Sequence, residues 1–127
     1  MLYTTETLSQ MQTILNVFQE YTSTSPYFDI FFTPKKGYVF LRIERDVLEV
    51  EKIDNADELF EKFLFEITSD VRDLFLCGEH TPVALFPLEI EESRKRLLPY
   101  IEKLPEALQP YYTDLMEQYL RGYGGDN

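Results

Sequence analysis

A chain of 127 residues with an apolar share of 44% is long enough for one hydrophobic core without disulfide or metal staples. Acids outnumber bases 23 to 12, a formal net charge of −11, which disfavours nucleic acid and anionic membrane, whose phosphates call for clustered Lys and Arg. The single cysteine excludes an intramolecular disulfide, and no apolar run approaches the length of a membrane span.

Residues 5–22 read as a helix, with Leu8, Met11, Leu15 and Phe18 at helical spacing and Pro26 behind its end. Two strands follow at 27–33 and 38–44, joined through Pro34 and Gly37. Pairing Thr33 with Tyr38 places Phe28, Ile30 and Phe32 on one face with Val39, Leu41 and Ile43, and sets Asp29 opposite Arg42. A tight turn at Arg45 and Asp46 then adds a third strand, with Leu48 and Val50 on the same face and Glu49 beside Arg42. That register makes the apolar set the core face. It leaves Tyr27, Phe31, Tyr38, Phe40 and Arg42 outside among Asp29, Glu44, Glu49 and Glu51.

Asp54 or Asn55 is positioned to cap a long helix over 56–77, with acids in its first turn and Gly78 after its end. Its core stripe is Phe60, Phe63, Leu64, Ile67, Val71 and Leu74, while Asp57, Glu58, Glu61, Phe65 and Glu66 fall off it. A loop at 79–87, with an extended piece at 83–86, leads to helices at 89–103 and 106–121 broken by Pro105. The expected architecture is α+β in a single domain, 1–127. It comprises an N-terminal helix, a three-stranded antiparallel meander, a long central helix and two C-terminal helices packed on one face of the sheet.

Chemistry-bearing motifs are lacking. Cys77 and His80 are the only thiol and the only imidazole, and Gly78 between them interrupts the helix that would have to hold them together. The simpler expectation is a buried cysteine and a solvated loop histidine. One Cys and one His also fall short of a zinc ligand set. Neither GxxxxGK[ST] nor GxGxxG occurs. No catalytic residue, cofactor or metal is expected. The opening MLYTTETLSQ has no basic stretch or long apolar run, so no secretory signal is expected and the cytoplasm is the expected location.

Charge is concentrated rather than spread. From Glu44 to Glu79 there are 12 acids and 4 bases, most of the molecule's excess. Aromatics and Arg ringed by acids have the composition of a protein-binding surface. The residues expected to touch a partner are Phe31, Tyr38, Phe40, Arg42, Glu44, Glu49, Glu51, Glu58, Glu61 and Phe65.

From Tyr38 onward the chain resembles the Immunity protein 63 family of bacterial polymorphic toxin systems. The matching residues are Tyr38, Glu44-Arg45, Glu49, DELFEKFLFEIT (57–68) and RKRLLPYIEKL (94–104). The resemblance implies a cytoplasmic antitoxin that binds a cognate protein toxin and blocks it. The acidic charge suits a basic toxin, since opposite charge speeds encounter. Two other readings fit the same features: a homodimeric adaptor or chaperone-like protein that buries its sheet face in itself, and an acidic DNA mimic that inhibits a nucleic-acid-binding protein.

Overall fold

The computed structural model describes residues 3–76 and 87–123. Its elements are α1 (Thr5–Val17), α2 (Gln19–Thr24), β1 (Phe28–Thr33), β2 (Gly37–Glu44), β3 (Val47–Lys52), α3 (Ala56–Leu76), α4 (Pro87–Glu102), a 3-10 turn (Glu106–Leu108) and α5 (Gln109–Tyr123). The three strands form one antiparallel sheet in the order β1-β2-β3, so the architecture is the expected α+β. The chain divides into two compact units, Met1–Phe60 and Glu61–Asn127, and the division falls inside α3.

In the first unit, the helix expected over 5–22 is two helices. Thr4 caps α1 by accepting from Thr7 N–H, and the helix ends at Phe18, whose ψ of 12° leaves the helical region. Beyond it, Thr22, Ser23 and Thr24 each donate a side-chain hydroxyl to a carbonyl three or four residues back. Such bonds compete with regular helix. Phe18 itself is fully buried, edge-on to Phe60 with ring centroids 6.0 Å apart. Met11, Ile14, Phe28, Phe40, Ile53 and Leu59 are buried with it.

The β1–β2 register differs by one residue from the expected pairing. Tyr38 lies opposite Phe32 rather than Thr33, and Arg42 opposite Phe28 rather than Asp29. A slip of one turns every side chain of a strand to the other face. Tyr38, Phe40 and Arg42 therefore share a face with Phe28 and Ile30. On that face Tyr21 of α2 meets Phe28 at 5.8 Å between ring centroids, and Tyr38 donates its hydroxyl to Gln12 of α1 at 3.2 Å. Phe40 stacks on Phe28 at 5.6 Å and is only 3% exposed, so it is a core residue and not the surface residue expected.

The cause sits at the hairpin's turn. Gly37 adopts φ 76°, and the Tyr3 ring lies directly against it. The Tyr3 hydroxyl accepts the Tyr38 N–H at 2.9 Å and donates to the Ile53 carbonyl at 2.6 Å, spanning β2 and the residue after β3.

The β2–β3 pairing is the expected one. Glu49 lies opposite Arg42, and the two-residue turn at Arg45 and Asp46 has φ of 51° and 66°, the left-handed pair that suits a two-residue hairpin.

In the second unit, Phe63, Leu64, Ile67 and Val71 of α3 are buried as the apolar spacing requires, and Leu74 is exposed instead. Glu66, expected off the stripe, is buried. Arg72 of α3 donates Nε to Glu89 of α4 at 3.2 Å, and that carboxylate is almost fully covered. α4 begins at Pro87, a residue suited to a first helical turn because its missing N–H would be unsatisfied there anyway. α4 and α5 form a helical hairpin around Leu104 and Pro105. Gln109 closes it by donating to the Glu102 and Leu104 carbonyls at 3.2 and 2.9 Å. Cys77, His80 and the 79–86 stretch lie outside the described residues.

Candidate recognition surface

The register change turns β2 and β3 over relative to the faces expected of them, while β1 keeps Phe28 on the helix-covered face. Side chains alternate along each strand, so Phe31 of β1, Val39, Leu41 and Ile43 of β2, and Leu48 and Val50 of β3 share the face opposite Phe28 and Phe40. This is the set expected as core, apart from Phe31. In the structure Val39 is buried as expected, at 9%, while Phe31 is 41%, Ile43 52%, Leu48 59% and Val50 60% exposed. Leu41 between them is half-buried. The pairs Leu41↔Val50 and Ile43↔Leu48 are direct cross-strand neighbours, so Ile43, Leu48 and Val50 form one cluster, with Phe31 at the far side of the buried Val39. Scattered exposed apolar residues are ordinary, but a contiguous apolar sheet face is characteristic of interaction sites.

The expected contact residues separate accordingly. Phe31 joins the exposed apolar face. Tyr38 and Arg42 are half-buried on the helix-covered face. The Tyr38 phenol titrates above its ordinary value because burial disfavours the anion, with the neighbouring Tyr3 a smaller cause. Arg42 forms an ion pair with Glu44, and its guanidinium lies 6.0 Å from the Tyr27 ring centroid. Glu49 and Glu51 are exposed on β3, on the parity of Phe40 and Arg42.

Glu58 has a structural task. Its carboxylate accepts the Asp54 N–H at 2.8 Å while its own N–H donates to Asn55 Oδ1 at 2.9 Å, a reciprocal cap on α3. Glu61 and Phe65 are exposed on α3 within the second unit, Phe65 at 42%.

What sequence reasoning missed is the apolar face itself. Both parities of β2 carry large apolar residues, so composition did not say which parity the helices cover. The available signal was Tyr3, whose distance from the strands in sequence hid its place against Gly37.

A cleft of about 490 Å³ beside β1 has Gln12, Asn16, Gln19 and Thr22 along its helical wall and Asp29 as its one carboxylate. A second, open cleft of about 630 Å³ is lined by Glu106, Asp114 and Glu117, and Glu117 there is held by Arg94. No group of three or more His, Cys, Asp or Glu among the described residues could hold a metal ion. None of the described helices is long and apolar enough to cross a membrane. No protein-family model, curated protein or solved structure matches the chain.

Proposed function

We propose that this chain is a non-catalytic protein-binding domain of the immunity type, which neutralises a toxin or effector by occupying it. The observation that carries the reading is the exposed apolar cluster on one face of the sheet, with Ile43, Leu48 and Val50 contiguous. A central apolar patch slows dissociation, and an acidic surround speeds encounter with a basic partner. The net charge of −11 supplies that second property. The antitoxin role within this class rests only on the resemblance of residues 38–104 to the Immunity protein 63 family, and no family model matches the chain.

The test is capture at low salt from the source cell's lysate, followed by co-expression. A captured protein domain that stops growth when expressed alone, and is harmless beside this chain, carries the proposal. Replacing Ile43 and Leu48 together by Ser should leave the thermal melt within a few degrees and weaken capture by about tenfold or more, as expected for loss of a buried hot spot. Capture of the chain's own copies alone would favour the homodimer. A nucleic-acid-binding protein eluting steeply with salt would favour the DNA mimic.

A further inference from the structure

β3 is the last strand of the sheet, and all six of its residues are exposed. Two backbone bonds fix the direction of its amides: Ile43 N to Tyr27 O at 2.8 Å and Ile53 N to Tyr38 O at 3.0 Å. By alternation Val47, Glu49 and Glu51 turn their N–H and C=O toward β2, and Leu48, Val50 and Lys52 turn theirs outward. An edge of this length is normally blunted by proline, a bulge or a covering element. The sequence VLEVEK has no proline, its ladder with β2 runs without a bulge, and no described element adds a strand beyond it.

Its guards are charges. Antiparallel pairing of two copies through this edge, in the registers that pair most of the strand, sets Glu49 opposite either Glu49 or Glu51 of the other copy. Like charges directly opposite are unfavourable. The edge is therefore closed to itself and open to the opposite sign.

Building on the protein-binding reading above, we propose that the β3 edge takes an extended segment of a partner protein as a fourth strand, one that alternates Lys or Arg with apolar residues. The basic residues stand opposite Glu49 and Glu51, and the apolar ones stand opposite Leu48 and Val50, where they extend the exposed face. Main-chain bonds supply affinity in such strand addition, and the alternate side chains supply selectivity.

The test uses the full chain and three labelled short peptides: alternating Val-Lys, alternating Val-Glu, and a scrambled Val-Lys peptide of the same composition, read by fluorescence anisotropy. The alternating Val-Lys peptide should bind about tenfold more tightly than its scramble, because only it matches both faces of the edge. Glu49→Lys with Glu51→Lys should transfer the preference to the Val-Glu peptide.

Val50→Pro removes an outward N–H while sparing the bonds to β2 and leaving the charge unchanged. It should abolish the preference over the scramble. Equal binding of alternating and scrambled peptides, or unchanged selectivity in a folded Val50→Pro chain, overturns the proposal, because attraction to the chain's net charge alone would give that result. Hydrogen exchange on the unaltered protein provides a second readout that needs no folded variant. The Leu48 and Val50 amides should slow when the alternating peptide is added, and protection confined elsewhere overturns the proposal. A toxin held equally well by the unaltered chain and Val50→Pro sinks the edge and leaves the binding reading standing.

Discussion

Gly37 and Tyr3 act together on the sheet. At φ 76° any side chain would be strained, and a Cβ at Gly37 would fall 2.7 Å from Tyr3 Cζ. The close approach lets one phenol accept from the Tyr38 N–H and donate to the Ile53 carbonyl. Gly37→Ala should lower unfolding stability by about 1–3 kcal/mol, from backbone strain together with displacement of the ring. Tyr3→Phe should cost a similar amount, about 1–3 kcal/mol, because it leaves the Tyr38 amide and the Ile53 carbonyl without their bridge. Both changes damage one contact, so the double variant should lose clearly less than the sum of the two. Urea midpoints of the three variants check this, and strict additivity would mean that the two residues act separately.

Between elements, the α4–α5 hairpin carries a fork of the kind that titrates with stability. Arg94 donates Nε and Nη2 to the two carboxylate oxygens of Glu117 at 2.7 and 2.8 Å, and Nη1 to Glu91. The hydrogen bonds from Arg94 are the largest cause holding the Glu117 carboxyl below its ordinary value. A carboxyl depressed in the folded state adds stability above its unfolded pKa of about 4.3, and that contribution is lost as pH falls through the folded value. Glu117→Gln should therefore be less stable than the unaltered chain at neutral pH, and the gap should begin to close below the unfolded pKa and vanish only once pH has fallen through the lower folded value. Melting curves at a series of pH values read the difference. A gap that stays constant into acid would show that the pair contributes through packing alone.

The same scale shows what the sequence could reveal. The classes of element and the β2–β3 register were legible because helical and alternating periods are local, and a two-residue turn leaves one good pairing. The β1–β2 register was not. Tyr38 and Phe40 on one parity of β2 compete with Val39, Leu41 and Ile43 on the other, and the choice rests on Tyr3, far from the strands in sequence. Because the candidate surface is whichever parity the helices leave open, it changed faces with the register. Phe31 kept the outer face expected of it and stayed exposed, while Phe40 became core. Glu66 was misplaced for a different reason: helical spacing counts a carboxylate as solvated wherever it interrupts an apolar stripe, and here it is buried.

For the whole molecule, the position of the division within α3 matters most. The first unit ends at Phe60, whose ring sits edge-on to Phe18 in the core, and Ala56 and Leu59 are buried just before it. Residues 56–60 are little more than one helical turn. Helix nucleation is unfavourable, and isolated helices shorter than about 12–15 residues are marginal in water. Phe60 is therefore carried on a helix, Ala56–Leu76, most of whose residues belong to the second unit. A fragment ending at residue 60 should keep the Asn55–Glu58 cap in sequence yet lose the helix that the cap begins. A fragment ending at residue 76 keeps all of α3. The shorter fragment should show a broad, weakly cooperative melt with little near-ultraviolet dichroism, and the longer one a sharper transition at higher temperature. Coincident melts for the two fragments would mean that the first unit's core forms without Phe60 fixed on a helix, and that α3 links two independently folding bodies.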